Sequence, residues 1–303
     1  MSDALHLDKR LVRRAFDAAA PGYDQVAVLQ REVATRLLER LDYLAHAPRL
    51  ILDAGAGTGF GTRALAARYG EAAVVALDLA PRMLEVARAA QSWWRRMPRL
   101  WPSRQAFVCA DIERLPLKTA VGDMVWSSLA LQWCNSLEHA FSEFRRVLSP
   151  SGLLVFSTFG PDTLRELREA FADIDGYTHV NRFMDMHDIG DLLVRTGFAT
   201  PVVEMETITL TYPDLKACLH DLKAMGAHNV TQGRPQGFMG KGPWRALEAG
   251  YERFRRDGRL PATFEVVYGH AWAGGESTRR AGDSVAIRMP VSRRPRAAKD
   301  VSA

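Results

Sequence analysis

Cysteine is scarce in this sequence, and long apolar runs are absent. The chain of 303 residues has three cysteines, Cys109, Cys134 and Cys218, which are odd in number and far apart. This excludes a disulfide-rich secreted scaffold and favours a reducing compartment. No run of about 18 apolar residues occurs, and the first residues lack the apolar stretch of a secretion signal. We therefore expect a cytoplasmic protein that does not enter a membrane.

Net positive charge is also small over most of the chain. The formal net charge is +5, but residues 274–303 hold seven basic side chains against three acidic ones and so account for +4. This composition predicts a flexible, solvated basic tail. The tail and the segment WWRRMPRLWP (93–102) leave nucleic-acid binding open as an alternative, but the nearly neutral remainder does not favour it.

Signatures of metal and covalent catalysis are missing as well. The eight histidines form no H-x-x-x-H pair, and no two cysteines have the spacing of metal ligands. The nucleophile-elbow pattern of serine hydrolases does not occur either. We expect no metal site.

Alternating strands and helices dominate the middle of the sequence. Two amphipathic helices are predicted at 8–19 and 27–41, and then short apolar runs alternate with helical patterns. This alternation predicts an α/β fold with a mostly parallel sheet covered by helices on both faces. The predicted strands are 49–54, 73–78, 105–109, 123–128, 152–158, 201–211 and 262–272, and the further predicted helices are 60–69, 81–96, 136–148, 162–173, 187–196, 214–225 and 243–256.

The domain organisation follows from these patterns. Residues 1–45 are predicted to form N-terminal helices that act as a lid, and residues 46–273 to form one catalytic domain. Helical insertions are predicted near 160–190 and 212–260, and residues 274–303 form the tail.

A glycine-rich loop, DAGAGTG at 53–59, follows the first predicted strand and precedes a helix. Glycine lets the backbone turn tightly and approach a ligand closely, and the helix N-terminus presents its positive end to the loop. Glycine recurs at every second position, so Phe60 stands where a G-x-G-x-x-G fingerprint needs its third glycine, and the ending of a phosphate-binding loop is absent.

This loop resembles motif I of class I S-adenosylmethionine-dependent methyltransferases, and two further acids fit the resemblance. Asp78 ends the second strand, where a carboxylate can accept both ribose hydroxyls, and Asp111 follows the third strand, where it can accept from the adenine amino group. The resemblance implies a Rossmann-like seven-stranded sheet, mostly parallel with one antiparallel edge strand, and S-adenosylmethionine as the cofactor. The residues that it assigns to the cofactor are Gln30, Asp53, Gly55, Gly57, Gly59, Asp78, Leu79, Asp111, Ile112 and Leu129.

Several segments are similar to one subfamily, the malonyl-acyl-carrier-protein O-methyltransferases of biotin synthesis. This resemblance implies methylation of the free carboxylate of a malonyl thioester, carried by an acidic acyl-carrier protein or by coenzyme A. The product would prime pimelate synthesis for biotin. The segments that carry the resemblance are FDAAAPGYD (16–24), LQRE (29–32), DIERLPL (111–117), SSLALQW (127–133), HVNRF (179–183), DLKAMGA (221–227) and ATFEVVYG (262–269).

The resemblance also implies catalytic and substrate-binding residues. A carboxylate with a pKa near ~4 is ionised at neutral pH and needs no general base, so the site must align it and exclude water. Arg182 could grip the substrate carboxylate bidentately, Tyr23 could close over the methyl donor, and His179 and Trp133 could contact the substrate. A structural role for Tyr23 is equally compatible with the sequence, and for His179 the sequence favours a structural role in a loop.

Two other functions remain open. A related branch hydroxylates a protein arginine during assembly of respiratory complex I and shares several of these segments, but the presence of Arg182 favours the methyltransferase. A nucleic-acid methyltransferase is the other alternative.

Overall fold

A seven-stranded sheet forms the centre of the protein, in the order β3-β2-β1-β4-β5-β7-β6. Strands β1 to β5 pair in parallel, and β7 runs antiparallel to both β5 and β6. The structure is a computed structural model that describes residues 6–91, 104–172, 174, 177, 179–224 and 240–274. The strands are β1 (Leu50–Ala54), β2 (Ala73–Asp78), β3 (Gln105–Cys109), β4 (Gly122–Ser128), β5 (Leu148–Phe159), β6 (Phe198–Tyr212) and β7 (Leu260–Ala273).

The predicted fold class is confirmed, with one refinement of its edge. The single antiparallel strand is β7, and it lies second from the edge because β6 pairs along its outer side. Sequence runs 201–211 and 262–272 thus complete the same sheet, as predicted.

Helices cover both faces of this sheet. Most begin and end within a few residues of their predicted bounds, but the helix predicted for 81–96 ends at Ala89, so the prediction is wrong for residues 90 and 91. The helices are α1 (Lys9–Ala19), α2 (Tyr23–Val26), α3 (Val28–Arg40), α4 (Phe60–Arg68), α5 (Pro81–Ala89), α6 (Leu137–Val147), α7 (Arg165–Phe171), α8 (Met186–Arg195), α9 (Leu215–Ala224) and α10 (Lys241–Glu252).

The core consists of two apolar layers, one on each face of the sheet. Successive strand residues alternate between faces, so Ile51 and Trp126 belong to one layer, whereas Leu52 and Val125 belong to the other. Both layers are fully buried, which explains why these strands read as continuous apolar runs rather than as alternating ones.

Local capping explains where two of the helices begin. The Asp8 side chain accepts hydrogen bonds from the backbone N–H groups of Arg10 and Leu11 at the start of α1, and Ser136 caps α6 in the same way. Such caps satisfy donors that have no partner inside the helix.

The described residues include no helix that is long and apolar enough to cross a membrane. Within the same residues, no group of three or more metal-ligating side chains comes together. The tail from residue 275 onward and the tryptophan-rich segment 93–102 lie outside the described residues, as do residues 225–227 of DLKAMGA. The domain division, including the lid at 1–45, stays a prediction.

Candidate functional site

The glycine-rich loop lies at the carboxyl end of β1, in the crevice where parallel sheets of this kind bind ligands. Gly55 has a φ of +85°, and a Cβ atom there would lie 2.2 Å from the Cβ of Ala130. The loop therefore passes so close to the segment after β4 that only glycine fits at this position. The N–H groups of Gly55 and Ala56 both donate to the carbonyl of Leu77 at the end of β2, at 2.8 and 2.9 Å.

Asp78 fixes the other side of this loop. Its Oδ2 accepts from the N–H of Gly57 and its Oδ1 from the N–H of Ala80, both at 2.8 Å. The carboxylate thus joins the glycine loop to the start of α5. Burial raises the pKa of Asp78 to about 6, although the two backbone donors oppose the shift.

Asp53 is the more deeply buried of the two carboxylates and lies at the floor of the site. Its Oδ2 accepts from the Thr62 hydroxyl at 2.5 Å. Burial raises the pKa of Asp53 to about 7, and the negative charge of Asp78 adds to the shift. A cationic ligand would offset this cost of burying the ionised form.

Asp111 follows β3 and contacts the first helix. Its Oδ1 accepts from Lys9 Nζ at 3.1 Å and from the N–H of Glu113 at 3.0 Å. Lys9 also forms an ion pair with Glu113.

The N-terminal helices form part of the wall of this site. Phe16 of α1 contacts the rings of both Tyr23 and Trp133 edge to face, with centroid separations of 6.5 and 5.2 Å. The Thr58 hydroxyl of the glycine loop donates to Asp24 of α2 at 2.6 Å. Burial raises the pKa of the Tyr23 hydroxyl well above its usual value, so this phenol stays protonated at neutral pH.

Most of the residues predicted from sequence to bind the cofactor line one pocket, which we call the donor pocket. Gly59 is not among its lining residues. It is the N-cap residue that directly precedes α4. The predicted residues that line the donor pocket are Tyr23, Gln30, Asp53, Gly55, Gly57, Asp78, Leu79, Asp111, Ile112, Leu129 and Trp133.

A second cavity of about 370 Å³ adjoins the donor pocket. Its walls are mainly apolar and come from α3, α7, α9 and the segment 179–183. The residues that line both spaces are Gln30, Gln132, Trp133 and Phe159.

The segment 179–183 separates this second cavity from a third pocket nearer the surface. His179 lines both, and its ring stacks on Phe171 with the centroids 3.6 Å apart. Asn181 lines the second cavity only, whereas Arg182 is exposed and lines the third pocket only. The role of Arg182 as a carboxylate clamp stays a prediction, and the structure places its side chain outside both the donor pocket and the second cavity.

Two polar groups at the site were not identified from the sequence. The indole Nε1 of Trp126 is buried in the donor pocket with no hydrogen-bond partner among the described residues, and the same holds for Oε1 of Gln132. Gln132 Nε2 donates to the carbonyl of Leu129 at 2.6 Å, which fixes the orientation of the amide. Gln132 lies in the segment SSLALQW that the sequence had already marked, but nothing in the sequence distinguishes it from its neighbours.

The sequence is similar to those of known methyltransferases. The family described as "Methyltransferase domain" matches residues 52–156. The chain is 58% identical over 280 residues to the malonyl-[acyl-carrier protein] O-methyltransferase of Laribacter hongkongensis, which covers 92% of this chain and 94% of that relative. It is 55% identical over 279 residues to the enzyme of the same name from Gallionella capsiferriformans, with 92% of this chain and 96% of the relative covered.

Solved structures show the same fold at low sequence identity. The YcgJ protein of Bacillus subtilis superposes with a TM-score of 0.55 at 12% identity, covering 79% of this chain and 98% of that one. The phosphoethanolamine N-methyltransferase 2 of Haemonchus contortus, in complex with S-adenosyl-L-methionine, gives a TM-score of 0.51 at 17% identity, with 86% and 57% covered.

Proposed function

The chain belongs to the malonyl-[acyl-carrier protein] O-methyltransferase family, and we propose that it methylates the free carboxylate of a malonyl thioester. S-adenosylmethionine supplies the methyl group, and the malonyl group arrives on an acyl-carrier protein. The product is a malonyl methyl ester, which primes pimelate synthesis for biotin. The alternatives of a protein-arginine hydroxylase and a nucleic-acid methyltransferase are not favoured.

The residues of the donor pocket fit this cofactor. The glycine loop packs so closely on Ala130 that only glycine fits at position 55, and two carboxylates with raised pKa values, Asp53 and Asp78, lie beside the loop. We propose that Asp78 binds the ribose hydroxyls, that Asp111 accepts from the adenine amino group, and that Asp53 lies near the positively charged methionyl end. The cofactor supplies a methyl group activated by the positive charge of a sulfonium.

The observation that carries the proposed reaction is the second cavity, which shares Gln132 and Trp133 with the donor pocket and has mainly apolar walls. A carboxylate that attacks a sulfonium loses its charge in the transition state. An environment poor in water and in competing cations therefore favours the transition state over the ionised reactants. Since the carboxylate is already ionised at neutral pH, no residue has to act as a base.

The first two helices and Trp133 are proposed to exclude water from the reacting groups. Tyr23 and Phe16 line the donor pocket, and the ring contacts of Phe16 with Tyr23 and Trp133 join α1 to α2 and to Trp133. Alignment and exclusion of water account for large rate enhancements without proton transfer.

Mass spectrometry tests the reaction directly. Malonyl-acyl-carrier protein and malonyl-coenzyme A are each incubated with the protein and S-adenosylmethionine. We expect the carrier-bound substrate to gain the mass of one methyl group, which mild ester hydrolysis then removes. If neither substrate changes mass while the protein binds the donor, the proposal is wrong. The coenzyme A reaction shows in addition whether the carrier protein is required.

A further inference from the structure

The third pocket carries an unexplained concentration of positive charge. Arg168 and Arg182 both line it and both are exposed. No aspartate or glutamate occurs among its described lining residues. Arg168 donates to the carbonyls of Pro161 and Thr163 at 2.9 Å each, and neither guanidinium forms an ion pair with a described carboxylate.

This pocket adjoins the second cavity, which in turn adjoins the donor pocket. The stacked rings of Phe171 and His179 line both the second cavity and the third pocket. The third pocket therefore shares a wall with the second cavity, which shares another with the donor pocket. The described residues that line the second cavity include no arginine and a single lysine, Lys223.

The proposed substrate has an anionic group at each end. A malonyl group on a carrier is attached through a thioester to a 4′-phosphopantetheine arm, so a carboxylate lies at one end and a phosphate at the other. The carboxylate loses its charge during methyl transfer, and a guanidinium bound to it would stabilise the reactant more than the transition state. The phosphate keeps its charge throughout, and arginine binds phosphate oxygens with well-matched geometry.

We propose that Arg168 and Arg182 bind the phosphate of the phosphopantetheine arm. The arm then crosses the second cavity past the Phe171–His179 stack and presents the malonyl carboxylate beside Gln132 at the donor pocket. This assignment rests on the proposed function. It gives Arg182 a role in substrate binding at the phosphate instead of at the carboxylate.

The test compares two substrates that differ only in the phosphate, malonyl-pantetheine and malonyl-4′-phosphopantetheine. We expect the wild-type protein to have a KM about tenfold to hundredfold lower for the phosphorylated substrate. A difference of this size corresponds to one charge-assisted hydrogen bond to the phosphate. Arg182→Ala should abolish this preference by raising the KM for the phosphorylated substrate to about the value for malonyl-pantetheine. Arg182→Lys keeps the charge but not the planar fork, and should retain part of the preference.

The matched control is Arg165→Ala. Arg165 is another exposed arginine of α7, but it lies against Asp162 and Glu166 and does not line the third pocket. It should leave the preference for the phosphorylated substrate as in the wild type. Arg182 is the better residue to vary than Arg168, because Arg168 also holds two loop carbonyls.

Several results would overturn the assignment. If Arg182→Ala lowers kcat on both substrates equally, the residue acts at the carboxylate. A wild-type protein that turns over both substrates with the same KM has no phosphate site. Malonyl-coenzyme A and malonyl-carrier protein share the phosphate, so Arg182→Ala should raise KM for both; an effect on the carrier alone would mean that Arg182 contacts the carrier protein. If the wild type methylates none of these malonyl thioesters, the proposed function itself is wrong.

Discussion

Lys9 Nζ lies 3.1 Å from Asp111 Oδ1, and this ion pair connects the first helix to the end of the third strand. The pair lies at the edge of the donor pocket, which both residues line. A second contact supports it, because the backbone of Leu7 exchanges two hydrogen bonds with the Asn135 side chain. The first helix is therefore attached to the residue that we propose for adenine recognition.

Lys9→Met should loosen this attachment without removing the helix. The ion pair is partly exposed, and such pairs contribute up to about 1 kcal/mol. We expect S-adenosylmethionine to dissociate about twofold to fivefold faster, measured by stopped-flow displacement. Arg13→Met is the control, since Arg13 pairs with Asp17 of the same helix at 3.7 Å and is not among the described residues that line the donor pocket. Equal effects of the two substitutions would show that Lys9 has no special role at the pocket.

Asp78→Asn should weaken donor binding strongly. The carboxylate oxygens already accept from Gly57 and Ala80, and an amide would set an N–H group against one of these donors while losing an acceptor for the ribose. We expect a loss of affinity of about tenfold or more by calorimetry. Asp42→Asn, which alters an exposed acid paired with Arg68, should leave the affinity unchanged. Unchanged affinity in Asp78→Asn would place the donor elsewhere.

Asp53 should make stability depend on pH. Its pKa in the folded protein is about 7, compared with the reference value of 3.8. Between these values the folded state binds more protons than the unfolded state, so the contribution of Asp53 to the free energy of unfolding falls as pH rises and is constant above about 7. The Asp53→Asn variant lacks this pH-dependent contribution to the free energy of unfolding. The Tm of the wild type relative to Asp53→Asn should therefore be higher at pH 5 than at pH 8, and a pH-independent difference would contradict the prediction.

The affinity for the donor should also depend on the ionisation of Asp53, but it should increase with pH whereas the stability contribution decreases. A cationic donor favours ionised Asp53, so binding below pH 7 should release protons, and affinity should increase from pH 5 to pH 8. Calorimetry in buffers of different ionisation enthalpy measures the proton release. In Asp53→Asn the release should be reduced to the part that Asp78 contributes.

Gly55→Ala and Gly57→Ala form a matched pair that separates backbone strain from crowding. Both glycines have positive φ, at +85° and +52°, but an added Cβ would overlap Ala130 only at Gly55. We expect Gly57→Ala to lower the free energy of unfolding by about 1–2 kcal/mol, because alanine is strained at this positive φ. Gly55→Ala should lose a further 1–3 kcal/mol or so from overpacking. Urea unfolding checks both values, and equal losses would mean that the loop moves away from Ala130.

The parallel part of the sheet was predictable from sequence because strands β1 to β4 are short apolar runs, most of which alternate with helices. The pattern of local hydrophobicity determines which segments are strands. It does not determine which strands become neighbours, and the position of β7 between β5 and β6 arises from pairing between segments far apart in the chain.

The sequence by itself also predicted residues that the structure brings together at the donor pocket, because a glycine loop and two acids at strand ends are recognised by their positions along the chain. Asp53, Asp78 and Asp111 are expected in one site because the ends of parallel strands meet at one edge of a sheet, and all three line the donor pocket.

Only the tertiary structure decided which side chains of the segment 179–183 line the second cavity and which line the third pocket. Asn181 and Arg182 are adjacent in sequence, yet one lines the second cavity and the other the outer pocket. Outside helices and strands no periodicity relates position to direction, so the facing of each side chain depends on packing against distant elements. The contact of Lys9 with Asp111 has the same origin, because residues about a hundred positions apart meet only when the first helix folds over the sheet.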